Sequence, residues 1–365
     1  MKVGIALLMA AVLLVSAVSL DDQSDASSII VTDGIGNTLT LDHPVDRIIT
    51  VGTGITATVI GIGSLTKISV CDNYAYNNKD PIFDGLRELV AEGKVLAGGN
   101  IYSSGIDQLK KDIIYVADPE SGNFDRENDV VVVTGSETYR NNIVPYLKEN
   151  KFRNIMQWSD ITEYDDIIGF AETVSMVCSG KVVKAVDDMR FVTEYVEDTL
   201  EREKPVQKNA FYVTFSANVF KVGNKGSLAT SMIIEAGGNA FTVDPSQKAS
   251  TYEANITDLV SKHPGCLVFV DNSIVSDQDK LKMLTAQVGD SAKLVPLQSI
   301  WNNYTLKSSE GLWTMACAMY PDLFEGDVPS IDDYDEVGMT GYFLSGLAMV
   351  CIVIGGSYLL IWRRP

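Results

Sequence analysis

The sequence predicts an α/β protein of two lobes joined by a single long helix, and three observations predict it. Short β-branched runs alternate with helical patterns from Arg47 to Met319, the rhythm of βαβ units around a largely parallel sheet. Midway, Val182, Val186, Met189, Val192, Val196 and Leu200 recur at three- and four-residue spacing, a continuous helical stripe. Uncharged apolar segments stand at both ends of the chain. The fold class is therefore α/β, two Rossmann-like lobes and one linking helix, with an N-terminal signal segment and a C-terminal transmembrane helix.

Residues 1–20 read as a secretory signal peptide. Lys2 precedes the uncharged run Val3 to Val18, and Ala17-Val18-Ser19 fits a small-x-small cleavage site. A retained anchor is the alternative, for which the run is short. No Cys precedes Cys71, so an N-terminal lipid has no attachment point.

The N-terminal lobe is expected over 29–160. Its strand candidates are Arg47–Val51, Lys67–Cys71, Lys94–Ala97, Asp112–Val116, Asp129–Thr134 and Asn154–Trp158. Helical patterns lie between them at Ile55–Ile62, Ile106–Lys111 and Asn141–Asn150. The inter-lobe helix is expected over 164–204, with Ser179-Gly180 separating a shorter helix from Lys181–Glu203 and Pro205 ending it. At 1.5 Å per residue the longer piece would reach ~35 Å, enough to cross the back of two lobes. An ordinary surface helix within one domain is the alternative.

The C-terminal lobe is expected over 205–325. Strands are read at Asn209–Phe215, Cys266–Asp271 and Lys293–Leu297, and helices at Leu228–Ala236, Ile256–Lys262, Asp277–Val288 and Ser309–Met319. A faint echo links the halves: Ile106 to Leu109 leads into Asp112–Val116 as Ile256 to Leu259 leads into Cys266–Val270. Residues 326–340, dense in acids, read as an extended, self-repelling stalk.

Residues 341–362 are uncharged, long enough to span a bilayer of ~30 Å as a helix. Tyr342, Tyr358 and Trp362 stand near its ends, as interfacial aromatics do. Arg363-Arg364 follow and acids precede, so the C-terminus is expected in the cytoplasm and residues 21–340 outside the cell membrane. The alternatives are a buried core helix and a removed GPI signal, which the Arg-Arg ending disfavours.

Composition excludes whole classes. The chain has 365 residues, a length for about two domains at ~150 residues each. With 46% hydrophobic residues it is not wholesale disordered. Acids outnumber bases 48 to 29 and the net charge is −19, which argues against nucleic acid and against a polybasic membrane-surface binder. Cys351 lies in the expected span. Cys71, Cys178, Cys266 and Cys317 have wide spacing and no C-x-x-C, and fit buried small hydrophobes better than a disulfide framework, for which three pairings exist. The two histidines, His43 and His263, each precede a proline. A histidine-rich metal site is excluded, as is a Ser-His-Asp triad unless one of these two serves it. No catalytic residue, metal ligand or cofactor is called for.

Several stretches carry a family resemblance. They are Val31-Thr32-Asp33-Gly34-Ile35-Gly36-Asn37-Thr38-Leu39-Thr40-Leu41, His43-Pro44-Val45-Asp46-Arg47-Ile48-Ile49, Ile62-Gly63 with Lys67-Ile68-Ser69-Val70, Gly226-Ser227-Leu228 with Glu235-Ala236-Gly237-Gly238-Asn239-Ala240, His263-Pro264-Gly265-Cys266-Leu267-Val268, and Ala318-Met319-Tyr320-Pro321-Asp322-Leu323-Phe324. In this order, over roughly residues 29–325, they resemble the iron-siderophore/cobalamin (Fe/B12) class of periplasmic substrate-binding proteins of ABC transporters. The resemblance implies a non-enzymatic receptor with a metal-chelate ligand (corrinoid, ferric siderophore or haem) in a cleft between two lobes, and ABC permease subunits as partners. The C-terminal anchor points to a membrane-anchored, archaeal-type member, with a Gram-positive one as the alternative. One departure stands out. The family's first lobe carries a Thr-Glu pair after the first strand, and that acid docks the permease. Here the pair is Thr56-Ala57.

Open α/β sheets bind ligands at the carboxyl ends of their strands. The loops expected there are 52–56, 72–78, 98–104, 135–139, 215–220 and 299–304. They interleave aromatic and amide side chains, which suit a large, partly apolar, hydrogen-bonding ligand. Tyr74, Tyr76, Asn100, Tyr102, Phe215, Asn218, Trp301 and Asn302 are the expected ligand-binding residues. Lys79, Arg140 and Lys221 are the nearest bases, too few for a tri-anionic catecholate, so a neutral or weakly charged ligand is expected. Asn255-Ile256-Thr257 and Asn303-Tyr304-Thr305 are glycosylation sequons. Competing readings are a cell-surface binding or adhesion protein on the same scaffold without a transporter, and a chelatase-like enzyme, which lacks the His or carboxylate cluster it would need.

Overall fold

The structure, a computed structural model, describes residues 28–332 apart from Ser103, Ser121 and Asp160. The expected signal peptide (1–20) and transmembrane helix (341–362) lie outside the described residues. Within the described residues no helix is long and apolar enough to cross a membrane.

The chain begins with an antiparallel hairpin, β1 (Ile29–Thr32) and β2 (Thr38–Leu41). Asp33 holds its turn by accepting from the Ile35 and Asn37 amides, and accepts from the Gln157 amide to fasten the hairpin to the first lobe.

That lobe runs β3 (Ile48–Val51), α1 (Thr53–Gly61), β4 (Ile68–Cys71), α2 (Asn73–Asn77), α3 (Asp84–Ala91), α4 (Ile106–Val116), β5 (Val130–Thr134), α5 (Glu137–Arg140), α6 (Val144–Glu149) and β6 (Asn154–Trp158). Its four strands are all parallel, in the order β4-β3-β5-β6. Every residue of the four is buried, which is why they read as unbroken apolar runs rather than alternating ones.

Two strand expectations fail here. Asp112–Val116 is the second half of α4, whose buried face is Leu109, Asp112, Ile113 and Val116. A five-residue apolar run suits either state, and the three- and four-residue spacing from Leu109 decides it. Tyr115 faces solvent on the opposite side. The echo between the halves fails with it. Lys94–Ala97 contributes only an isolated bridge, Leu96 to Val70.

The link is formed by two helices, α7 (Asp165–Ser179) and α8 (Lys184–Glu203). Gly180 ends the first with a φ of +72°, a left-handed cap that glycine adopts at little cost. Residues 181–183 then turn the chain, held by Ser175 Oγ, which donates to the Lys181 carbonyl and accepts from the Val183 amide. With 20 residues, α8 reaches ~30 Å and lays Val186, Met189, Val192 and Val196 into the core.

The second lobe runs β7 (Asn209–Ser216), β8 (Val219–Gly223), α9 (Leu228–Glu235), β9 (Asn239–Ala240), β10 (Thr251–Glu253), α10 (Ile256–Lys262), β11 (Cys266–Asp271), α11 (Asn272–Val275), α12 (Gln278–Val288), β12 (Ala292–Leu297) and α13 (Ser308–Met319). Its six-stranded sheet is mixed: β9, β11 and β12 follow the parallel pattern, while β8 runs antiparallel to both its neighbours, β7 and β10. The expected loop 215–220 is the tip of the β7-β8 hairpin, where Ala217 and Asn218 both have positive φ, as a tight two-residue turn requires.

One apolar cluster runs through both lobes. It joins Ile48 and Ile55 to Phe170 and Val192 of the linking helices, and these to Phe269, Leu297 and Met315. The start of the expected stalk is docked rather than extended: the Ser330 hydroxyl and Ile331 amide donate to Asp188 on α8, and Lys184 pairs with Asp332. Residues 333–340 lie outside the described residues. Cys71, Cys178, Cys266 and Cys317 are free thiols, the first three buried.

Candidate ligand-binding cleft

The carboxyl ends of β3, β4 and β5 converge on a cavity of about 440 Å³. Gly52, at the end of β3, has a φ of +135°, and a Cβ there would stand 1.9 Å from Thr134 Oγ1, so only glycine fits between the strands. Asp72, at the end of β4, is buried and caps α2 by accepting from the Ala75 amide at 2.9 Å. Burial pushes its carboxyl up to about 6, against the pull of backbone N–H groups from Ala75, Tyr74 and Gly52.

Above it stand three tyrosines in edge-to-face contact. Tyr74 and Tyr102 have ring centres 5.4 Å apart, and Tyr102 and Tyr139 4.5 Å. Asn100 lies behind this wall. Its Nδ2 donates to Asn73 and its Oδ1 accepts from the Tyr102 amide, so it positions the loop. Tyr76, half-buried on α2, does not line the cavity.

A second cavity of about 540 Å³ belongs to the other lobe. Tyr212 and Thr214 of β7, Lys225 to Leu228 at the start of α9, Lys248, Ser250, Thr251 and Asn302 line it. Tyr304 lines both cavities. Its ring covers Gly54, where a Cβ would stand 2.1 Å away, and Thr58 Oγ1 donates to its carbonyl. The segment after β12 therefore ties the second lobe to α1 of the first and makes the two cavities halves of one inter-lobe cleft. Tyr212 spends its one proton on Asp271, at 2.9 Å, and so accepts from Asn302 Nδ2. That fixes the amide. Asn302 Oδ1 is left shielded from solvent with no partner among the described residues.

No family model and no curated protein matches the sequence. Solved structures do. The TroA-like periplasmic binding protein FepB of Veillonella parvula aligns at a TM-score of 0.60 with 13% identity, over 81% of this chain and 91% of that one. The periplasmic heme-binding protein RhuT of Roseiflexus sp. RS-1 aligns at 0.51 with 13% identity, over 76% and 98%. The periplasmic vitamin B12 binding protein BtuF of Vibrio cholerae aligns at 0.51 with 14% identity, over 75% and 96%. The chain has the periplasmic binding protein fold.

Within this binding-protein fold, the remaining residues expected at the site fall elsewhere. Trp301 is buried, donates Nε1 to Glu310 at 3.0 Å and packs on Gly311. Phe215 and Asn218 line a separate depression with Met283 and Gln287. The reason is the period of two in β7: Tyr212 and Thr214 point into the cleft, whereas Phe211, Val213 and Phe215 pack on the opposite face. Tyr74, Tyr102 and Asn302 are thus the expected residues that line the cleft.

The bases also differ from expectation. Arg140 is buried and donates to the Gly135 carbonyl and to Gln157, and neither Lys79 nor Lys221 lines the cleft. Lys225 and Lys248, which sequence reasoning missed, do. Asp72 and Tyr139 were in expected loops but not singled out. His263 stacks on Phe241 in the second lobe, and no group of three or more His, Cys, Asp or Glu suited to a metal ion occurs among the described residues. Asn303 lines the first cavity and donates to the Ser299 carbonyl, so a glycan there and an open cleft exclude each other. Asn255, in the other sequon, caps α10 by accepting from the Asp258 amide.

Proposed function

We propose that the protein is an extracytoplasmic substrate-binding protein of an ABC importer, capturing a metal chelate such as a corrinoid, a ferric siderophore or haem. The observation that carries this reading is a two-sided cleft, closed over by Tyr304, with Tyr74, Tyr102 and Tyr139 presenting aromatic surface on one wall and hydroxyl and amide groups on the other. Such a lining holds a large ligand by surface and orients it by hydrogen bonds. Closure of the lobes would be a population shift driven by higher affinity for the closed state. The signal peptide would export this body, and the helix at 341–362 would tether it to the outer face of the cell membrane.

A second reading, a surface-binding protein without a transporter, draws on α1. Ala57 is buried, and the Thr56 hydroxyl is spent on Thr50 and the Gly52 carbonyl. This turn of α1 presents no carboxylate to a permease.

Calorimetric titration of the full chain with cobalamin, haem, and neutral and anionic ferric siderophores tests the first reading. Saturable one-to-one binding to one class is expected, weakened in Tyr74→Ala and Tyr102→Ala. Folded protein that binds none of them overturns it in favour of the second.

A further inference from the structure

The two halves of the cleft differ in charge. The first-lobe half carries phenol rings and the buried Asp72. The second-lobe half carries two ammonium groups, Lys225 and Lys248, with the hydroxyls of Ser227, Ser250 and Thr251, and no acid among its lining residues. In a chain with net charge −19 such a lining runs against the average. Neither lysine takes part in a salt bridge among the described residues.

The two lysines are also held in relation to one another. Asn224, fully buried, donates Nδ2 to the Gln247 and Ala249 carbonyls at 3.0 and 3.1 Å, and accepts from the Asp244 amide at 2.8 Å. Its own amide donates to the Ser250 carbonyl. One buried side chain thus sews the loop bearing Lys248 to the loop bearing Lys225. Ser227, the N-cap of α9, spends no side-chain oxygen on its helix, and the first turn of that helix adds partial positive charge. Two unpaired ammonium groups on mutually braced loops, over hydroxyl donors, match an oxyanion.

We propose that the ligand is bipartite, with an apolar or aromatic body against the tyrosine wall and a carboxylate-bearing end at Lys225 and Lys248. This rests on the binding-protein reading and replaces the neutral ligand that the sparse basic residues of the sequence pointed to.

The test uses citrate as a carboxylate probe on the full chain at low ionic strength. Amine-reactive labelling read by mass spectrometry is expected to show citrate protecting Lys225 and Lys248, with Lys79 and Lys221 unprotected. Lys225→Gln with Lys248→Gln is expected to weaken citrate by on the order of tenfold per lysine, and salt to weaken it in the wild type. Both side chains are exposed, so the variant keeps the fold, checked by its melting curve. Equal labelling of all four lysines with and without citrate overturns the proposal. A neutral ferric hydroxamate that binds equally well to wild type and double variant also overturns it, while leaving the binding-protein reading standing. Citrate protection in a protein that binds no chelate does the reverse.

Discussion

Trp301 is 9% exposed and donates to Glu310, whereas Tyr74 is 53% exposed on the cleft wall. Trp301→Ala leaves a large hole beside Gly311 and should cost about 3–5 kcal/mol in urea unfolding. Tyr74→Ala should cost no more than about 1.5 kcal/mol, the upper range for its edge contact with Tyr102, and act on binding instead. Asp72 supplies a pH signature. Its carboxyl holds a proton more tightly in the native state than the ordinary Asp value of 3.8, so the native state gains stability as pH falls through 6 towards 4. Above pH 6 the full cost of the buried charge is present, about 3 kcal/mol. Asp72→Asn keeps an acceptor for the cap and removes the charge. It should be more stable than wild type at pH 7 and converge with it near pH 4, measured by denaturation across that range.

At the scale of elements, the informative positions are where one ends. Gly180 closes α7 in the left-handed region, and a Cβ there would stand 3.0 Å from Pro44 Cγ. Gly180→Ala should lower stability by about 1 kcal/mol, seen as a shifted denaturation midpoint with unchanged slope. Asp188 on α8 gathers Lys184, Ser330 and the Ile331 amide. Asp188→Ala should raise amide exchange at 330–332 while global stability moves by less than about 1 kcal/mol, because these contacts are largely solvent-facing. The strands of the first lobe and the stripe of α8 were legible because their burial pattern is written in residue type. Asp112–Val116 and residues 215–220 were not. A short apolar run carries no period of its own, and a hairpin formed by Ala217 and Asn218 lacks the glycine that usually announces the turn.

At the scale of the whole molecule, the apolar cluster crossing from Ile55 through Phe170 to Met315 makes the two lobes one packing unit. Calorimetry of the described body within the full chain should therefore show one cooperative transition rather than one per lobe, with the van't Hoff and calorimetric enthalpies in agreement. Two resolved transitions would show that the cluster does not couple the lobes. Residue order alone sufficed for the α/β class, the two sheets, the long linking helix and the aromatic character of the loops after the strands, because each depends on local periodicity and composition. Which of those aromatics face the cleft depended on the pleat of β7 and on the packing of Trp301 against Gly311. The charge of the second half depended on Asn224 bringing residues 225 and 248 together across a loop. Contacts between positions far apart in the chain leave no periodic trace in the sequence, and the chemistry of this cleft is built from such contacts.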